Sequence, residues 1–86
     1  PTVAAINGTC LGGGCELALS CKFRIGAKNT KIGLPEIKLG FVPGWGGCVR
    51  LPRLLGVSKA LELIMSGKIL NADKAAKAGL LDEVVD

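Results

Sequence analysis

The chain opens on an apolar run, Val3-Ala4-Ala5-Ile6, and its later hydrophobic positions are grouped between glycine-rich breaks. An unbroken run bounded by Asn7-Gly8 predicts a fully buried strand over residues 2–6, followed by a turn. Beyond Gly12-Gly13-Gly14, the segment Cys15 to Cys21 carries Leu17, Ala18 and Leu19 and is apolar nearly all round. That pattern predicts a buried helix of about two turns, starting near Gly13-Gly14. Phe23-Arg24-Ile25 alternates like a short strand, Lys28-Asn29-Thr30 is a turn, and Lys31-Ile32 is a second brief strand. Residues 33–47 hold five glycines and two prolines and read as one loop. A long ordered loop in so short a chain carries binding or catalysis more often than mere connection.

The second half changes to helical texture. Val49 to Leu55 predicts a short helix containing Pro52, and Ser58 is placed to cap a helix that Gly67 ends. Asn71 caps a third helix over 72–78, with Asp73 in its first turn, Lys77 in its last and Gly79 beyond. Leu80 to Val85 closes as a strand. Strand, helix and strand at the front with helices behind argue for an α/β fold, and no linker, repeat or low-complexity tract divides residues 1–86.

With 86 residues the chain is at most one small domain, and a chain of this size buries only about 60% of its unfolded surface, which leaves it marginal alone. A hydrophobic content of 49% excludes a disordered tail. No stretch approaches the roughly 18 apolar residues of a membrane helix, and no signal peptide opens the chain, so the expectation is a soluble, cytoplasmic protein with no membrane span. Beginning on Pro1 and running straight into an apolar strand, it is expected to be a central piece of something longer.

Cysteines fall at 10, 15, 21 and 48 with no C-x-x-C pair, and histidine is absent. No metal site is expected from such spacing, and the four cysteines read as reduced, buried, structural thiols. Without histidine, Ser-His and Cys-His nucleophiles are excluded, so acid/base chemistry falls to carboxylates, lysines or water. Residues 1–56 hold seven cations, Lys22, Arg24, Lys28, Lys31, Lys38, Arg50 and Arg53, against Glu16 and Glu36 alone. One Trp and two Phe offer too few stacking platforms for nucleic acid, and a small phosphorylated ligand suits scattered cations better.

Neither glycine-rich stretch completes a dinucleotide fingerprint, because Leu17 and Val49 stand where the third glycine belongs. Gly12-Gly13-Gly14 instead offers bare amides at a helix start, able to hold an oxyanion or simply to make a tight turn. Glu16 has no local cation at helical spacing, so it is either a solvent-facing carboxylate at a helix N-terminus or a partly desolvated acid/base. Glu36, in Leu34-Pro35-Glu36, is either an ordinary turn acid or its partner. Two carboxylates beside glycine-rich backbone are what proton transfer without histidine requires. Trp45 either stacks on a flat ligand or covers a core. Arg50 and Arg53 read as surface ion-pair partners, with phosphate binding as the other reading.

The motifs Ala4-Ala5-Ile6-Asn7-Gly8, Leu11-Gly12-Gly13-Gly14-Cys15-Glu16-Leu17-Ala18-Leu19, Gly33-Leu34-Pro35-Glu36 and Pro43-Gly44-Trp45-Gly46-Gly47 resemble the enoyl-CoA hydratase/isomerase (crotonase) superfamily. Arg50-Leu51-Pro52-Arg53-Leu54-Leu55-Gly56 and Ala78-Gly79-Leu80 extend the match over essentially the whole chain. The wording is most similar to the hydratase part of bacterial multifunctional fatty-acid oxidation proteins. The resemblance implies part of a ββα spiral, and an enoyl-CoA hydratase (a lyase) of fatty-acid β-oxidation. Its substrate would be an acyl-CoA thioester, and it needs no cofactor, since coenzyme A belongs to the substrate. By position it makes Glu16 and Glu36 the catalytic pair and Gly13 an oxyanion-hole donor, with Gly12, Gly14, Pro43, Gly44 and Trp45 binding substrate.

It also implies a trimer-based homo-oligomer or a place in a multifunctional β-oxidation complex. The family's second oxyanion donor comes from upstream of Pro1, so the isolated 86-residue chain is expected to be inactive. Lys22 stands where the family often has Asp, and Cys10 and Cys48 replace commoner Ala and Thr; all three read as structural. The rival functional reading is a non-catalytic fragment of the fold that serves only interaction or subunit assembly.

Overall fold

The computed structural model describes all of residues 1–86. In chain order the elements are β1 (Val3–Ile6), β2 (Thr9–Leu11), α1 (Gly13–Leu19), β3 (Phe23–Ala27), β4 (Lys31–Gly33), a 3-10 helix (Pro35–Leu39), α2 (Gly47–Leu55), α3 (Val57–Ser66), β5 (Ile69–Asn71), α4 (Ala72–Ala78) and β6 (Glu83–Val85). The strands sort into two sheets of three, β1-β3-β6 and β2-β4-β5, parallel throughout except for the antiparallel pair β4-β5. The first four strands alternate between the two sheets. Parallel neighbours need a crossover, and α1 supplies it, returning the chain so that β3 lies on β1 and β4 on β2. The outcome is a strand-strand-helix spiral, the expected α/β architecture.

The core lies between the second sheet and the helices, where Ile32, Leu34, Leu51 and Leu80 are almost wholly buried. Burial of each such side chain contributes about 1.5–3 kcal/mol. The first sheet is different. β1 was expected to be fully buried, yet Val3 and Ala5 are exposed and Ala4 and Ile6 only half-buried, because β1 pairs on one side alone and its outer face carries no covering layer. A depression of about 580 Å³ lies there, lined by apolar residues with Asn7, Asn29, Lys28 and Asp86, and it holds no candidate chemistry.

Other boundaries also shift. Helix α1 starts at Gly13 and ends at Leu19, where Ser20 Oγ donates to Leu17 O at 2.5 Å, and it is half-buried in character since Leu17 is 72% exposed. The run 33–47 is not loop throughout, because Pro35, with its φ preset, starts a 3-10 helix. Helix α2 begins at Gly47 and α3 at Val57 behind Gly56, so Ser58 is not the cap. Asn71 does cap α4, its Oδ1 accepting from Lys74 N at 2.9 Å. Two strands, β2 and β5, are too short to leave an alternating pattern, and the closing strand shrinks to Glu83–Val85 while Leu80 and Leu81 turn into the core. Of the four free cysteines, Cys10 and Cys15 are buried, Cys21 is half-buried and Cys48 is exposed, its Sγ donating to Pro43 O, so not all four pack as core thiols.

Candidate active site

Parallel pairing brings Glu16 and Glu36 together. β2 and β4 run the same way in register, Leu11 beside Gly33, and Gly12 N donates to Gly33 O at 3.1 Å where the two strands end. Whatever follows each strand therefore emerges at the same sheet edge: α1 with Glu16 after β2, and the 3-10 helix with Glu36 after β4. Ligand sites gather at the carboxyl ends of parallel strands for this reason.

Both glutamates are buried, Glu16 to 2% and Glu36 to 8% exposure, and both line a cavity of about 530 Å³. The solvent-facing reading of Glu16 is thereby overturned. Its Oε2 accepts from Trp45 N at 2.6 Å and from Gly47 N at 2.8 Å, so the carboxylate sits on the amino end of α2, where backbone donors and helix dipole favour negative charge. Oε1 of Glu16 and Oε1 of Glu36 are each buried with no hydrogen-bond partner. An orphaned carboxylate oxygen in a buried site is costly, and two on residues that line one cavity leave acceptor capacity that the chain itself does not fill.

Glycine makes these positions possible. Gly12 has φ 55°, and a Cβ there would stand 3.6 Å from Glu36 Oε2. At Gly47 a Cβ would meet Pro43 Cβ at 2.9 Å, Leu34 Cδ1 at 3.1 Å and Glu16 Oε2 at 3.2 Å, so only glycine brings its amide onto that carboxylate. A Cβ at Gly13 would meet nothing within 4 Å, and its N–H belongs to the first turn of α1, which has no intrahelical acceptor. Cys15, next to Glu16, has its thiol pushed up to about 12, first by burial and then by the neighbouring Cys10, Glu36 and Glu16. It is an inert core thiol behind the site.

The cavity lining also includes Gly12, Gly13, Gly44 and Trp45, while Gly14 and Pro43 lie outside it, Pro43 buried behind Gly47. Trp45 is 82% exposed and covers no core; its indole stands at the cavity and its amide on Glu16. The apolar wall of Leu11, Leu39, Phe41 and Val42 and the donor Gly47 were not singled out from sequence. Their signal was there in part, as Phe41-Val42 set among glycines and the last glycine of the Pro43–Gly47 motif.

The pattern described as Enoyl-CoA hydratase/isomerase matches residues 1–86. Among solved structures, the chain is similar to enoyl-CoA hydratase from Bacillus anthracis, with 52% identity and a TM-score of 0.97 over 99% of this chain and 33% of that one. The enoyl-CoA hydratase from Thermoplasma volcanium is 49% identical, with a TM-score of 0.96 over 100% of this chain and 35% of that one. A Geobacillus kaustophilus structure described as a subunit I of the same enzyme is 43% identical, with a TM-score of 0.94 over 100% and 34%. This chain thus spans about a third of the length of these structures. A strand-strand-helix spiral, paired buried glutamates at one sheet edge and a match along its whole length place the chain in the enoyl-CoA hydratase/isomerase family, with the crotonase fold.

Proposed function

We propose that the protein containing this chain is a lyase that adds water across the Cα=Cβ bond of 2-enoyl-CoA thioesters, in fatty-acid β-oxidation. The observation that carries this reading is the pair of buried glutamates, each with an unpartnered Oε1, lining one cavity beside the open amide of Gly13. The glutamate pair holds a water molecule, whose oxygen bonds to Cβ while a proton reaches Cα through the pair. Negative charge that develops on the thioester oxygen is met by the Gly13 N–H, and Trp45, Phe41 and Val42 receive the apolar part of the substrate. The two carboxyls act as one coupled unit, so the water's proton and the Cα proton belong to the pair. Coenzyme A enters as part of the substrate, and no separate cofactor is required.

No helix is long and apolar enough to cross a membrane. The enzyme works as an oligomer, and the 86 residues alone do not turn over substrate, because losing one of two oxyanion donors costs on the order of 3 kcal/mol at the transition state. Hydration of crotonyl-CoA by the full-length protein, followed as loss of enoyl absorbance, tests the reading. Turnover that Glu36→Gln lowers severely is the expected result. No turnover in the full-length protein overturns it in favour of a non-catalytic assembly role, and undiminished turnover in that variant removes the glutamate-pair mechanism.

A further inference from the structure

Four cations meet at the carboxyl end of α1, next to the glutamate site, since Arg50 also lines a pocket with Gly13, Glu16 and Trp45. Lys22, Arg24, Arg50 and Arg53 line a depression of about 280 Å³ between the end of α1 and α2, closed by Leu19, Cys21 and Leu54. No carboxylate lines it. Arg24 forms the floor: it is 3% exposed, its Nε donates to Leu80 O at 2.8 Å and its Nη1 to Cys21 O at 2.9 Å. Its one acidic neighbour is Asp82, half-exposed and 3.6 Å from Nη2. Most of what holds this buried guanidinium is therefore neutral carbonyl, and its charge reaches the depression incompletely cancelled.

The other three cations are exposed and form no ion pair, although the sequence reading placed Arg50 and Arg53 in surface ion pairs. Three unpaired like charges around one arginine repel one another and destabilise the fold, unless a multivalent anion neutralises them. Two guanidinium forks and an ammonium over a buried guanidinium match a phosphoryl group, whose oxygens accept several charge-assisted hydrogen bonds at once. We infer that the Lys22-Arg24-Arg50-Arg53 depression is a binding site for the phosphate or diphosphate group of a small ligand. Neither glutamate lines this depression, although Arg50 links it to the pocket that holds Glu16, and the inference does not rest on the hydratase reading.

The test is calorimetric titration of inorganic pyrophosphate into the full-length protein at low salt, with potassium chloride of equal ionic strength as the control. Wild type is expected to bind saturably, with a Kd on the order of 10⁻⁴ M. Lys22→Asp, which places an acid among the arginines, should weaken binding at least about tenfold, and Arg53→Gln roughly three- to tenfold. Lys22→Asp should also raise the melting temperature in the absence of pyrophosphate, a change that simple loss of fold cannot produce. Desulfo-CoA then separates the sources. Displacement of pyrophosphate assigns the site to the phosphates of a CoA ligand, and undisturbed pyrophosphate binding assigns it to a separate phosphorylated ligand; either supports the site. Absence of saturable binding, or equal affinity in wild type and Lys22→Asp, overturns it, and a stabilised Lys22→Asp that never bound pyrophosphate would make the patch a seat for another chain's carboxylates.

Discussion

Glu16 and Glu36 share one cavity but are held in opposite ways. Glu16 lies on the amino end of α2 with two backbone amides on its Oε2, whereas no hydrogen bond from the chain reaches the side chain of Glu36, which rides on a 3-10 turn. One carboxylate is fixed by its surroundings and the other is left for the ligand. In the proposed reaction Glu16 therefore orients, and Glu36 is the freer of the two to exchange a proton.

The largest expected effect tests that asymmetry directly. In the full-length protein Glu36→Gln should cut turnover by about 10²-fold to 10⁴-fold while KM for crotonyl-CoA changes little, since the amide keeps size and polarity but cannot pass a proton. Its melting temperature should hold or rise, because an unpaired buried charge has been removed. Glu16→Gln should instead lose stability, by about 1–3 kcal/mol, because the buried Gly47 amide and the part-buried Trp45 amide lose their charged acceptor. Equal melting shifts in the two variants would erase the distinction.

Next comes the anchor itself. Gly47→Ala puts a methyl group against Pro43, Leu34 and Glu16 Oε2, so the loop must move and the amide leave its carboxylate. Turnover should fall about 10²-fold with a loss of about 1–3 kcal/mol in stability, read by steady-state kinetics and denaturant unfolding. Unchanged kinetics would mean that the two amides on Glu16 do not matter to the chemistry.

Much of this asymmetry was not legible in the sequence. The helices were, because Asn71, Gly67 and Gly79 punctuate them by local rules, and so was the pairing of the only two acids before Glu62. What convergence required was β2, a three-residue strand whose partner lies across α1, and nothing in Thr9-Cys10-Leu11 shows that neighbour. Burial failed for a related reason. Val3 to Ile6 has the composition of a central strand, but burial depends on what covers the face, and periodicity records only the strand's own side chains. Likewise the gathering of Lys22, Arg50 and Arg53 needed α1 packed on α2, which scattered charges along the chain do not announce.

A smaller effect checks how deeply the core beside Glu16 is buried. The Cys15 thiol, ordinarily at 9.0, is pushed up to about 12, so above pH 9 the unfolded chain releases this proton while the folded chain keeps it. Stability therefore falls as pH rises across that window, by about 1.4 kcal/mol per pH unit from this group, and the contribution is fully present below pH 9. Denaturant unfolding at pH 8 and pH 10 should show a smaller loss in Cys15→Ala than in wild type. Identical slopes would mean that burial and the neighbouring Cys10, Glu36 and Glu16 do not hold this thiol protonated.

The smallest effect separates two jobs carried by one residue. Trp45 serves Glu16 through its backbone N–H, which any residue except proline supplies, while its indole is 82% exposed at the cavity and packs on nothing in the core. Trp45→Ala keeps the amide, so kcat should stay within about threefold and stability within about 0.5 kcal/mol. Only the surface offered to the acyl group is lost, and KM should rise several-fold, more for long acyl chains than for crotonyl-CoA. Trp45→Pro removes the donor, and its kcat should fall toward that of Gly47→Ala, so the two substitutions at one position separate anchoring from substrate contact. If Trp45→Ala lowered kcat as far as Trp45→Pro, the indole rather than the amide would be what keeps Glu16 in place.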